Sequence, residues 1–216
     1  MRDLRDNNNK EWFEANKATF TEQVQEPALS LVVALGERLE AAYPAIRYST
    51  HKSSGTLMRI YRDTRFSKDQ NPYKTNVAMM FVPAGQKRMN APGFGLQMTL
   101  DEVNLVAGQF GFDKDQLTVY REAVASDKGG RELVAAIEQV QAAGDYTLSN
   151  PDLKRVPRGY EADHPRADLL KHKGLAVYAP SISLEVVQTP ELVDVVMGHY
   201  TNMAPVWQWL METFDG

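Results

Sequence analysis

Leu96-Gln-Met-Thr-Leu-Asp-Glu-Val-Asn-Leu-Val-Ala-Gly-Gln109 is the stretch on which the fold turns. Leu96, Met98 and Leu100 alternate with Gln97 and Thr99, the period-two pattern of a half-buried strand. Val103 to Gln109 reads as its hairpin partner, turning near Asp101-Glu102. That turn is not the favoured Asn-Gly type, so the pattern leaves the register open. Thr56 to Tyr61 and Val77 to Val82 read as two further strands upstream, and Leu175 to Val187 as strand in two pieces around Pro180.

Helical patterns flank these strands on both sides. Asn8 with Glu11 resembles a capping box with Asn8 as N-cap, and Trp12, Phe13, Phe20 and Val24 follow at roughly helical spacing. Pro27 predicts a kink or a fresh start, and Leu29, Val32, Val33, Leu35 and Leu39 continue the apolar face to about Tyr43. Asp113 with Gln116 forms a second capping box, opening a helix to about Ser126; Arg131 to Ala143 is another, with Leu133, Val134, Ile137 and Val140 on one side. Thr189-Pro190-Glu191 reads as the start of a last helix running towards Phe214, bent or broken at Pro205. Helices at both ends with antiparallel strands between them predict an α+β fold: a single domain over residues 1–216, its largely antiparallel sheet packed with N-terminal and C-terminal helices.

Composition narrows the function. The 216 residues are 43% hydrophobic and 24% charged, ordinary for a globular chain with a core of its own. There is no cysteine, which excludes a disulfide scaffold, a thiol nucleophile and thiolate metal sites. No apolar run reaches the length of a membrane span, and the N-terminus lacks the apolar stretch of a signal peptide, so the expectation is a cytoplasmic protein with no membrane partner. The net charge of −4 argues against a general nucleic-acid coat.

Against that acidic background one segment is basic. Arg59-Ile-Tyr-Arg-Asp-Thr-Arg-Phe-Ser-Lys-Asp-Gln-Asn-Pro-Tyr-Lys74 sets five cations against Asp63 and Asp69. Arginine's planar fork suits carboxylate or phosphate through paired hydrogen bonds. Arg59, Arg62, Arg65 and Lys74 are therefore the candidate anion-binding residues, with hydroxyls from Tyr61 and Tyr73 and with Asp63 orienting a guanidinium. The ligand expected is a small phosphate, nucleotide or carboxylate. The same residues also fit a second reading, an internal ion-pair clamp in a structural or protein-interaction domain.

Other constellations carry less. Lys154, Arg155, Arg158, Arg166, Lys171 and Lys173 form a second basic segment, offset by Asp152, Glu161, Asp163 and Asp168, and read mainly as a solvated loop that could enlarge the first patch. Asp163-His164-Pro165 puts a carboxylate beside an imidazole, but adjacent side chains often point apart. His51, His164, His172 and His199 show no metal-ligand spacing, so no metal residue and no cofactor is named. Gly93-Phe-Gly95 and Gly108-Gln-Phe-Gly111 read as turns, bulges or close backbone contacts, and Ser53-Ser54-Gly55 as a turn. Trp12, Phe13, Trp207 and Trp209 sit in helical stripes as core or interface aromatics.

Three blocks carry a family resemblance. Asn7-Asn-Asn-Lys-Glu-Trp-Phe13 is the first. Arg59-Ile-Tyr-Arg-Asp-Thr-Arg-Phe-Ser-Lys-Asp69 with Pro72-Tyr-Lys-Thr75 is the second, and Leu153-Lys-Arg-Val-Pro-Arg-Gly-Tyr160 with His164-Pro165 is the third. With them the chain resembles, over nearly its whole length, the domain of unknown function 2461 family. The resemblance implies an α+β fold and no established activity. Gln70 departs from the pattern, standing where a lysine is expected between Asp69 and Pro72.

Overall fold

The computed structural model describes residues 1–51, 54–65 and 67–215. Ser53 of the expected turn and Phe66 of the second family block lie outside these. From the N-terminus run α1 (Arg2–Asp6), α2 (Lys10–Ala15), α3 (Lys17–Phe20), a π-helical turn (Thr21–Gln25), α4 (Glu26–Ala42), β1 (Ile46–Arg47) and β2 (Val77–Pro83). The middle holds β3 (Gly93–Met98), β4 (Glu102–Gln109), α5 (Lys114–Ala125), α6 (Asp127–Ala142) and β5 (Thr147–Leu148). Then come α7 (Ala167–Leu170), β6 (Leu175–Tyr178), β7 (Ile182–Ser183), α8 (Leu184–Val187) and α9 (Leu192–Asp215). Among the described residues the strands form one largely antiparallel sheet in the order β1-β2-β3-β4-β6-β5, with β7 paired to β4. The α+β class is therefore as the sequence indicates.

The chain divides into two compact units, and neither is a continuous stretch. The first comprises Met1–Phe81, Gly95–Asn104 and Ser181–Met197; the second comprises Val82–Phe94, Leu105–Pro180 and Gly198–Gly216. Because β2, β3, β4 and α9 each contribute residues to both, no linker marks a boundary in the sequence.

In the first unit, helix α4 buries Ala28, Val32, Leu35, Gly36 and Leu39. Gly36 is required there, since a Cβ would lie 2.3 Å from the Tyr48 ring. Pro27 does not break the helical run, as the Glu26 amide donates to the Thr21 carbonyl five residues back. The widened π turn lets proline enter without the clash an α-turn would impose. The N-cap of α2 is Asn9, whose side chain accepts from the Trp12 amide at 2.9 Å, and not Asn8 as the capping-box pattern predicts. Asn8 is used elsewhere, as described below.

The β3–β4 hairpin forms as expected. The Thr99 amide donates to the Glu102 carbonyl at 2.9 Å, and the Thr99 hydroxyl accepts from the amides of Asp101 and Glu102. This hydroxyl-braced turn replaces the Asn-Gly chemistry the sequence lacks. Thr56 to Tyr61, by contrast, is not a strand. Its first half pairs with β2, Met58 N–H donating to Ala78 and Met80 N–H to Thr56; its second half turns to pair with residues 72–74. Changing partner midway leaves only isolated bridges, Leu57 to Met79 and Tyr61 to Tyr73.

The second unit is built on aromatic packing. Phe94 lies 5.0 Å from Tyr200 and 4.9 Å from Trp207, ring centre to ring centre, and Tyr120 meets Trp209 edge-on at 5.9 Å. Gly108 has φ +127° and opposes Ala176, where any Cβ would come within 2.3 Å of the Leu175 carbonyl; it is a close backbone contact within the sheet.

Helix α9 runs unbroken through Pro205. Losing one backbone bond and straining a turn costs about 3 kcal/mol. Met203, Val206, Trp207 and Leu210 are all buried around it, at about 1.5–3 kcal/mol per large apolar side chain, which outweighs that cost. The helix starts at Leu192 rather than Thr189, whose hydroxyl donates backwards to the Val186 carbonyl. Leu184 to Val187, expected as strand, is the short helix α8, capped by Ser183 accepting from the Glu185 amide. None of the helices formed by the described residues is long and apolar enough to cross a membrane.

Candidate functional site

The basic segment folds as a short two-armed loop within the first unit. Arg62 N–H donates to the Pro72 carbonyl at 2.9 Å and Lys74 N–H to the Ile60 carbonyl at 2.7 Å. Tyr61 and Tyr73 are thereby a directly opposed pair, with ring centres 5.5 Å apart. Tyr73 is 3% exposed and stacks on Phe13 at 4.2 Å, in a cluster with Leu4; Tyr61 is 47% exposed. Burial, followed by proximity to Tyr61 and Glu14, raises the Tyr73 phenol above its ordinary pKa.

Asn8 anchors the loop. Its Nδ2 donates to the Tyr73 carbonyl at 3.0 Å and its Oδ1 accepts from the Tyr73 amide at 3.1 Å. The first and second family blocks are thus tied together by one side chain. The signal was the triple Asn7-Asn8-Asn9, of which one residue suffices for the cap.

The loop charges pair in a pattern that sequence could not assign. Asp63 grips Arg65 with both oxygens, accepting from Nε at 2.9 Å and Nη2 at 2.6 Å. These side-chain bonds, followed by the bond from the Arg65 amide, hold the Asp63 carboxyl down at about 2. Asp69 accepts from Nη1 of Arg62. The Asn71 amide and then Arg62 hold the Asp69 carboxyl below the usual range. The group that orients Arg62 is therefore Asp69. Lys74 Nζ donates to the Arg59 carbonyl at 3.1 Å. Gln70, at the expected lysine position, is exposed and folds back along the loop, donating to the Ser67 carbonyl at 2.6 Å.

Two clefts border this loop. The first is open and polar, about 640 Å³, and is lined by Arg62, Asp63, Asp69, Tyr73 and Lys74 of the segment together with Arg5, Asn8, Asn71, Thr75, Asn76 and Gln97. The second, about 210 Å³, is apolar, and it is this one that Arg59 and Tyr61 line. Arg65 lines neither, its side chain being 77% exposed against 29% for Arg62. The expected cluster is thus divided: Arg62 and Lys74 come together, whereas Arg59 and Arg65 are directed elsewhere.

In the second unit, the other basic segment is engaged in structure. Arg166 donates to the carbonyls of Val124 (2.6 Å), Ala125 (3.1 Å) and Ser126 (3.0 Å), closing the end of α5. Lys171 pairs with Asp168 at 2.7 Å. His164 Nδ1 accepts from the Arg166 amide, so its imidazole is committed to the backbone. A partly buried network that the sequence does not signal joins Tyr146 to His199 Nδ1 and Asn202, each at 2.8 Å. Among the described residues no group of three or more His, Asp or Glu could hold a metal ion.

A comparison with curated proteins yields no match. The blocks meeting at Asn8 and Tyr73 both lie inside residues 1–209, which match the family described as conserved hypothetical protein (DUF2461), and the chain belongs to that family.

Proposed function

We propose that the chain is a binding module for a small anion, seated in the polar cleft on Arg62 with Lys74 beside it. One observation carries the reading. Asp69 engages Arg62 through Nη1 alone, so the Nε and Nη2 hydrogens have no protein acceptor among the described residues. A guanidinium fixed at one nitrogen keeps its remaining donors aligned for a carboxylate or phosphate. Asn71, Thr75, Asn76 and Gln97 add neutral polar groups around the same space. Asp63 and Asp69 also line it, which favours a ligand of low negative charge over a polyanion. The reading is one of binding, with no reaction assigned.

The test is a thermal-shift and calorimetric titration with phosphate, sulfate, acetate, citrate and mononucleotides, in wild type and Arg62→Ala. A ligand at about 100 times its Kd stabilises by roughly 2.7 kcal/mol. That is several degrees in a chain of this length, at about 2–4 °C per kcal/mol. The stabilisation should vanish in Arg62→Ala. An equal response in the two proteins would refute the site.

The Asp63–Arg65 fork and the Asn8–Tyr73 anchor favour a second reading, in which the loop is a structural clamp of an interaction domain. On that reading Arg62→Ala lowers the melting temperature and no anion raises it.

A further inference from the structure

The apolar cleft on the other side of residues 57–61 differs from the polar one in kind. Phe20, Val24, Leu29, Leu57 and Ile60 form walls, and among all its lining residues Arg59 is the one formal charge; no carboxylate faces it. The Arg59 guanidinium makes no ion pair among the described residues. Asp63 feels its charge, but both oxygens of that carboxylate are already held by Arg65. Val24 and Gln25 reach the cavity from the π-helical turn. Such turns are rare inside α-helices and recur at functional sites. The volume, about 210 Å³, exceeds the ~150 Å³ of an apolar cavity that admits a benzene ring.

We infer that this cavity is a second binding site, for a small hydrophobic carboxylate whose ring or short chain lies among Phe20, Val24, Leu29 and Ile60 and whose carboxylate pairs with Arg59. One guanidinium balances one negative charge, and its fork matches a planar carboxylate. A phosphate dianion would leave charge unbalanced against apolar walls. The inference is independent of the anion site on Arg62, since the two clefts use different cations.

Hexanoate and benzoate are titrated into ¹³C-methyl, ¹⁵N-labelled protein, with hexanol and benzamide as neutral counterparts. Both carboxylates should bind in the millimolar range or tighter and shift the resonances of Val24, Leu57, Ile60 and Val77. Arg59→Gln should weaken them about tenfold or more, the loss of a charged hydrogen-bonded pair, and leave the neutral compounds unchanged. Val24→Trp, which fills the cavity, should abolish binding of all four, and Arg62→Ala should leave hexanoate binding intact. The inference is overturned by carboxylates that do not bind wild type, by equal affinity in Arg59→Gln, or by shifts that map away from the cavity. The last criterion holds even if Val24→Trp fails to fold. Loss of phosphate binding in Arg62→Ala alone concerns the polar cleft and leaves this inference standing.

Discussion

Residues 59–74 and 152–173 look alike as sequence: each interleaves Arg and Lys with Asp, and each overlaps a block of the family resemblance. Their charges are used differently. In the second segment Arg166 is committed to three main-chain carbonyls and Asp152 accepts from the Lys173 amide at 2.6 Å. In the first, Lys74 serves one carbonyl, but the two paired arginines are held by side chains: Asp63 with Arg65, Asp69 with Arg62. Main-chain carbonyls buried away from water need a protein donor, so the guanidinium that closes the end of α5 is structural. Exposed side-chain pairs can exchange partners with solvent or ligand at little cost. The difference teaches that the density of charge does not mark a binding surface; what the charge is bonded to does.

Removing the structural arginine should have the largest effect. Arg166→Ala leaves the Val124 and Ala125 carbonyls at the end of α5 without this donor, and the Ser126 carbonyl with the Gly130 amide alone, and should cost about 3 kcal/mol, read in urea unfolding. Arg166→Lys should recover only part, because one ammonium cannot span three carbonyls. If Arg166→Ala melts like wild type, the contrast between the two segments collapses.

Next comes the anchor of the first loop. Asn8→Ala removes both bonds to the Tyr73 backbone and should cost about 1–2 kcal/mol, with faster hydrogen exchange at the Tyr73 amide. Asn9→Ala, which loses only the helix cap, should cost about 1 kcal/mol and leave that amide protected. The pair of variants separates the two asparagines that the sequence pattern merged.

A smaller effect is expected from His172, buried in the second segment. Burial lowers its pKa, opposed by Asp152 and Asp168. As pH falls below about 6.5 the unfolded chain takes up the proton first, so stability declines from there until the folded His172 is itself protonated. His199 is lowered by burial too and contributes a slope of the same sign. The decline between neutral and mildly acidic pH should therefore be shallower, not absent, in His172→Gln, measured by denaturation at several pH values.

The smallest stability change belongs to the exposed fork. Arg65→Ala should leave the melting temperature near neutral pH almost unchanged, since both partners are largely in water. The Asp63 carboxyl, however, should titrate near 4 instead of about 2 in a ¹³C NMR titration. With the folded pKa depressed, whatever stability the pair confers is present above about 4 and lost as pH falls towards 2. A large melting loss at neutral pH would instead make the loop a clamp like the second segment.

The sequence by itself determined what is local. The Asp113–Gln116 capping box opens α5 as read, because both bonds of the box lie within four residues. The β3–β4 hairpin was legible for the same reason, its alternation and its turn being contiguous. Tertiary structure decided the rest. Helix α6 begins at Asp127, four residues before the expected Arg131, across a Gly129-Gly130 pair of poor helix propensity. There the Gly129 carbonyl receives Trp209 Nε1, and Gly130 makes room for Arg166, where a Cβ would lie 2.2 Å from its Nε. Thr56 to Tyr61 has the composition of a strand but changes partner after Met58. The division of the arginines is of the same kind. Arg59 and Arg62 are three residues apart, yet they line different clefts, because the strand-like backbone between them alternates its faces and then leaves β2 for residues 72–74. Propensity and capping are energies of a few neighbouring residues and can be read in order along the chain. Which carboxylate a guanidinium meets depends on where distant backbone has already been fixed by burial, and that is known only once the chain has folded.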